Sequence, residues 1–182
     1  MRALIVSEVR KVENRSFETI VNEARGGSKE AFCTIYGMYK DKLYRYALYR
    51  LGDPQEAEDA VSDCVLAAWQ GLGSLRSSAA FSSWIFSILR NCCASRIREA
   101  VRLRESTEQM YGNDAVHTTD PSLATELTEA LGILAEEERE VVLLSVIGGL
   151  SSKEISGLTG LTPGSVRSRL SRSLSKMREF LG

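Results

Sequence analysis

From Pro163 to Leu181 the chain reads PGSVRSRLSRSLSKMREFL, and Ser165, Arg167, Ser168, Arg169, Ser171 and Arg172 within it are residue types that hold a polyanion. Short hydroxyls let a helix approach closely, and guanidinium groups reach phosphates or guanine edges, so the chemistry offered is recognition in a DNA major groove. The same pattern also fits an amphipathic core helix with a solvated arginine face. Upstream, Phe81, Trp84 and Phe86 stand beside Arg90, Arg96, Arg98, Arg102 and Arg104, with Glu99 the sole acid among those arginines. Aromatics that stack bases, next to cations that hold a backbone, are the ingredients of single-strand binding; the alternative is that the aromatics are core. Between Gly52 and Leu75 there is no lysine or arginine, and Glu56, Glu58, Asp59 and Asp63 form an acidic helical face. Such a face is either a solvated surface suited to a helix N-terminus or a docking face for a basic partner.

Bond-making chemistry has no comparable foothold. The cysteines Cys33, Cys64, Cys92 and Cys93 include no Cys-x-x-Cys pair, and the single histidine, His117, sits in a polar stretch. This spacing reads as reduced thiols, partly in the core, rather than as a zinc site or a disulfide framework. No Gly-rich phosphate loop, Gly-x-Ser-x-Gly elbow or His-Glu-x-x-His occurs. No catalytic residue, metal or cofactor is expected.

The elements that position these residues are all helical. Ser151 and Glu154 form a Ser-x-x-Glu capping box, Gly160 suits a left-handed terminator, and Thr162-Pro163 restarts the chain with a cap and a first-position proline. The result is a helix-turn-helix whose second helix buries Val166, Leu170, Leu174, Met177 and Leu181. Earlier helices are expected over Ser16 to Arg25, Lys29 to Leu51, Asp53 to about Trp69 and Ala80 to Arg104. Later ones are expected over Pro121 to Leu134 and Glu136 to Ile147, punctuated by Gly148-Gly149. Lys40, Lys42, Arg45 and Arg50 are expected to face outward. Residues 105–120, ESTEQMYGNDAVHTTD, lose apolar periodicity and read as a flexible linker. The fold class is therefore all-α: two small helical domains, 16–104 and 121–182, with a tail over 1–15.

The 182 residues, 43% of them hydrophobic, suffice for two small cores. The formal net charge of −1 carries no signal, so the case for nucleic acid rests on local patches. Glu8 and Glu13 interrupt the apolar run of the tail, and no later run is long enough to cross a bilayer, so a cytoplasmic protein without membrane insertion is expected.

In this order the parts resemble the extracytoplasmic-function (ECF) group of bacterial RNA polymerase sigma factors. The resemblance rests on Ala31-Phe32 with Tyr36 and Tyr39, Leu51-Gly52-Asp53, the run Ala57-Glu58-Asp59-Ala60-Val61 and Ala68-Trp69. It continues through Phe81, Trp84, Ile88, Arg90-Asn91, Arg96, Arg98, Arg139-Glu140-Val141, Gly149-Leu150-Ser151, Glu154-Ile155 and Val166-Arg167-Ser168-Arg169-Leu170. It implies that the first domain docks on core RNA polymerase through Glu58, Asp59, Ser62, Asp63 and Val65. The same domain would read the melted non-template strand of the minus-ten element with Arg76, Ser77, Ser78, Trp84, Arg90, Asn91, Arg96 and Arg98. The helix-turn-helix would hold the double-stranded minus-thirty-five element through Ser165, Arg167, Ser168, Arg169, Ser171 and Arg172. It also makes an anti-sigma factor a plausible further partner. Ser95 stands where the family commonly has aspartate, and Leu134-Ala135 where it has Leu-Pro. A helix-turn-helix regulator with a helical sensing or dimerisation domain would explain Ser151 to Leu181 equally well, but not the acidic helix, the aromatic-basic helix and their spacing.

Overall fold

The computed structural model describes residues 16–108 and 126–182, with side chains through 103 in the first span. The tail, most of the expected linker and the start of the expected Pro121 helix lie outside the described residues. No strand occurs among those described. The helices are α1 (Phe17–Arg25), α2 (Lys29–Leu51), α3 (Pro54–Gly71), α4 (Phe81–Glu108), α5 (Glu126–Gly132), α6 (Glu136–Val142), α7 (Ser152–Thr159) and α8 (Pro163–Leu181). Short 3-10 turns, Leu72–Ser74 and Ser78–Ala80, join α3 to α4.

Helix starts follow the capping chemistry of the sequence. Ser16, Ser28, Asp53, Ser151 and Thr162 each accept from the backbone N–H three residues on, and Gly52 and Gly160 close α2 and α7 in the left-handed region at φ 75°. Ala135 has no side-chain acceptor, so α6 keeps only half a capping box: the Glu138 carboxylate accepts from the Ala135 N–H at 3.1 Å. Arg139 closes α5, donating from Nε to the Leu131 carbonyl at 3.0 Å, which would otherwise be an orphan of the helix end.

The first core gathers α1 to α4 around aromatic edges. Phe81 meets Phe17 at 5.8 Å and Tyr39 at 5.2 Å between ring centroids, Phe32 meets Trp69 at 5.2 Å, and Tyr46 meets Phe86 at 5.6 Å. Rings packed edge-on contribute about 0.5–1.5 kcal/mol each beyond their buried area. Leu131, Leu134, Val141, Leu144, Leu150, Ile155, Val166 and Met177 are buried in the C-terminal part and belong to one cluster with the residues of the first.

Three expectations are modified. The helix from Phe81 runs past Arg104 to Glu108, because 105–108 contain no glycine or proline to stop it. The single helix expected to Ile147 changes at Leu143 to a π-turn, in which the Gly148 N–H reaches the Leu143 carbonyl at 3.1 Å. Gly148 accommodates this turn against the neighbouring domain: a Cβ there would lie 2.6 Å from the Leu144 carbonyl oxygen and 3.4 Å from the Phe86 ring. On α8, Leu181 is 50% exposed and Ser173 is buried instead, seven residues on from Val166 on the same stripe.

All four thiols are free; Cys33 is exposed, Cys92 half-buried, Cys64 and Cys93 buried. Burial pushes the Cys93 thiol up to about 12 and the Cys64 thiol further still. Both are therefore neutral at pH 7, and any stability they contribute is fully present below the ordinary thiol range and is lost as pH rises from that range through the raised folded values. Under native conditions at pH 7 a maleimide should modify Cys33 at least about a hundredfold faster than Cys64 or Cys93, as measured by peptide mass mapping, with the difference abolished in denaturant.

Candidate nucleic-acid interface

The C-terminal unit builds a helix-turn-helix whose turn is pinned from both sides. The Ser156 hydroxyl donates to the Leu161 carbonyl at 2.6 Å, and the Thr162 hydroxyl accepts from the Ser165 N–H at 3.2 Å. With Val166 buried and Leu170 and Leu174 half-buried on the inner side, Ser165, Arg167, Ser168, Ser171 and Arg172 stand exposed on α8. Ser168 Oγ satisfies itself on the Gly164 carbonyl at 3.1 Å, and Arg172 Nε donates to the Ser168 carbonyl at 3.3 Å. Arg169 differs: it is half-buried and ion-paired to Glu137 of α6. Lys176, two turns further on, donates to Glu138 at 2.7 Å, and that ammonium holds the Glu138 carboxyl below its usual range.

In the first domain, Arg76, Ser77, Asn91 and Arg98 are exposed, and Ser78 and Trp84 are half-buried. The Trp84 ring rests 5.7 Å from Phe81, leaving part of its surface open. Phe81 and Phe86 are wholly core, as the alternative reading of the aromatics had it. Two arginines assigned to this strand are engaged elsewhere. Arg96 reaches across to α3, donating to Glu56 at 2.9 Å and Asp63 at 2.6 Å with Asp59 at 3.7 Å, and its hydrogen bond to the Glu56 carboxylate leads the effects that raise its pKa above the ordinary arginine value. Arg90 turns toward the other domain, donating to Glu140 at 3.0 Å and to the Leu158 carbonyl at 2.8 Å.

The acidic face of α3 presents Glu58, Asp59, Ser62 and Asp63 to solvent with Val65 half-buried. Leu66, 58% exposed, shares it and was not singled out in the sequence; its place three and four residues past Asp63 and Ser62 is the signal that would have found it. Arg50, expected outward, instead turns inward with its side chain 12% exposed, pairing with Glu136 and lying 3.1 Å from Glu140. Desolvation would lower its pKa, but the two carboxylates outweigh burial and raise it. Tyr46 completes this group, donating from its hydroxyl to Glu140 at 2.8 Å. Neither Tyr46 nor Glu140 carried a motif that marked it as a partner of the other. Among the described residues no group of histidine, cysteine and carboxylate side chains could hold a metal, and no helix is long and apolar enough to cross a membrane.

An acidic helix face, an aromatic-basic helix and a helix-turn-helix in one all-α chain are the features of a DNA-binding transcription protein. Residues 35–103 match the family model of Sigma-70 region 2, and residues 124–177 that of Sigma-70 region 4. The chain is 30% identical over 156 residues to ECF RNA polymerase sigma factor SigM of Mycobacterium tuberculosis, covering 86% of this chain and 80% of SigM. It is 27% identical over 176 residues to ECF RNA polymerase sigma factor SigW of Bacillus subtilis, covering 88% and 94%. The solved sigma factor RpoE of Bartonella quintana, in complex with the anti-sigma factor NepR, superposes with a TM-score of 0.69 at 25% identity, covering 82% of this chain and 96% of that one. The chain belongs to the ECF group of RNA polymerase sigma factors. It binds core RNA polymerase and promoter DNA and directs transcription initiation; the helix-turn-helix regulator reading is not favoured.

On α8 the exposed arginines divide by position. Arg172 should read a base: its alanine variant loses about 1–3 kcal/mol of minus-thirty-five affinity and relaxes preference at one position, whereas Arg167→Ala weakens all sequences alike. Selection of each variant against a randomised duplex library measures both effects.

Proposed function

We propose that the chain performs the family's work with the following division of residues. Core polymerase docks on the α3 face of Glu58, Asp59, Ser62, Asp63 and Val65, with Leu66 supplying apolar contact among the charges. The melted non-template strand of the minus-ten element runs past Arg76, Ser77, Ser78, Trp84, Asn91 and Arg98, where exposed cations stand beside a half-open indole. Arg90 joins that strand once it leaves Glu140, and Arg96 acts by fixing α3 to α4. The minus-thirty-five duplex lies on Ser165, Arg167, Ser168, Arg169, Ser171 and Arg172, with Arg169 exchanging Glu137 for phosphate. The domains are 16–104 and 121–182, joined through 105–120. The protein acts in the cytoplasm without catalysing a reaction itself: contacts to unstacked bases lower the cost of opening the duplex. An anti-sigma factor is a further partner, a reading supported by the Bartonella quintana relative having been solved with one.

The observation that carries this reading is the exposure, in one chain, of an acidic helix face and of a hydroxyl-and-arginine helix in a helix-turn-helix. Transcription from a pool of promoter fragments by core polymerase, with and without the chain, tests it. Glu58→Lys combined with Asp59→Lys should lower core affinity on the order of a hundredfold in a pull-down titration, because like charges meet across the contact. Asp63 is spared because it accepts a hydrogen bond from Arg96 at 2.6 Å, whereas Asp59 lies 3.7 Å from that guanidinium, beyond hydrogen-bond reach. The same variant should keep its affinity for minus-thirty-five duplex; unchanged affinity for core polymerase contradicts the docking face.

A further inference from the structure

α2 carries a basic face that neither the acidic face of α3 nor the DNA-reading helices include. Met38, Lys42, Arg45 and Tyr49 recur at helical spacing along it, with Met38 49% exposed and Lys42 and Arg45 exposed as well. The neighbouring Lys40 and Asp41 turn elsewhere, lining a groove with Glu58 and Ser62 of α3. No ion pair among the described residues takes up Lys42 or Arg45.

This face is tied to the minus-ten surface by a chain of ring contacts. The Lys42 ammonium lies 6.0 Å from the centroid of the Tyr39 ring. The Tyr39 hydroxyl shares a hydrogen bond of 2.5 Å with Ser82, and its ring packs 5.2 Å from Phe81, which in turn packs 5.7 Å from Trp84. A cation near a ring is attracted by the ring's quadrupole, so Lys42 has a preferred place relative to Trp84. Contacts of this size put it within reach of a strand a few nucleotides beyond the indole. Arg45 continues the face one turn further along α2.

Stacking on an indole tolerates any base, and cations hold the backbone of any sequence. A strand opened at the minus-ten element must leave the last base held there by some route, and its phosphates carry charge along that route. The acidic face of α3 repels them, whereas a basic face with its cations free attracts them.

We propose that the Lys42 and Arg45 face of α2 is a further phosphate-holding surface, which carries single-stranded DNA onward from Trp84 along one flank of the minus-ten element. This extends the minus-ten assignment of the proposed function and rests on it.

Core polymerase assembled with the full chain, either wild type or Lys42→Gln combined with Arg45→Gln, is titrated with non-template oligonucleotides from a promoter on which it initiates. One oligonucleotide holds the minus-ten stretch alone, and two are lengthened by about six nucleotides, on one flank or the other. Wild type should bind one of the lengthened strands several-fold more tightly than the short one, and the variant should lose most of that gain. For that strand the slope of log affinity against log salt should be shallower by about 0.7 for each cation removed. Trp84→Ala should weaken all three strands alike; if it weakens none, the minus-ten assignment itself fails and the proposal falls with it. A gain on lengthening that the double variant keeps overturns the proposal, as does the lack of any gain in wild type. So does a folded variant that no longer assembles with core polymerase, because α2 would then be a polymerase contact. Should the double variant lose its helical circular-dichroism signal, Lys42→Gln decides alone, and loss of the signal there too overturns the proposal, since Lys42 would then hold the fold.

Discussion

A carboxylate that is 5% exposed must be satisfied, and the way Glu140 is satisfied fixes how the halves of this protein meet. Removing such a group from water costs several kcal/mol, and only close cations and hydroxyl donors offset that. Tyr46 and Arg50 come from α2 and Arg90 from α4, so one side chain sets the orientation of both helices against α6. The Tyr46 hydroxyl is held neutral, its pKa raised well above the ordinary tyrosine value first by burial and then by the Glu140 charge. Its ring stays packed edge-on against Phe86, which in turn abuts Gly148. Apolar groups of equal volume are often as stable as a buried ion cluster, so this cluster is no measure of how stable the fold is.

The same logic sorts the arginines of a chain with almost no net charge. Arg139 is spent on helix-end carbonyls, Arg96 on the acids of α3, and Arg50 and Arg90 on Glu140. Arg76, Arg98, Arg167 and Arg172 stand exposed, where phosphate can reach them. Arg169 is intermediate, since its Glu137 partner is 75% exposed; a pair so open to solvent contributes about 0–1 kcal/mol and yields readily to a polyanion. The acidic run at the start of α6 thus supplies Glu137 and Glu138 to α8, besides Glu136 and Glu140 to the domain joint.

Local chemistry was legible in the sequence wherever it is set by residues a few positions apart. The caps at Ser28, Asp53, Ser151 and Thr162, the left-handed Gly160 and the inward Val166 follow from spacing alone. The motifs that carry the resemblance to sigma factors are likewise short. What spacing could not disclose are partners far apart along the chain. Arg96 sits on a basic face of its own helix, and nothing near it says that Glu56 and Asp63 lie opposite. Arg50 follows the outward pattern of Arg45 yet turns inward, because its partners Glu136 and Glu140 arrive from another domain. The π-turn at Leu143 was equally hidden, since a run of apolar residues has the same appearance in either helix type.

This chain confers promoter opening on core polymerase rather than merely binding DNA. Permanganate reactivity of thymines in a promoter duplex measures it directly, because only unstacked thymines react. Reactive thymines should appear across the minus-ten element when core polymerase and the chain are present together, and with neither alone. A duplex that the chain protects at the minus-thirty-five element, while every minus-ten thymine stays unreactive in the presence of core polymerase, would contradict it.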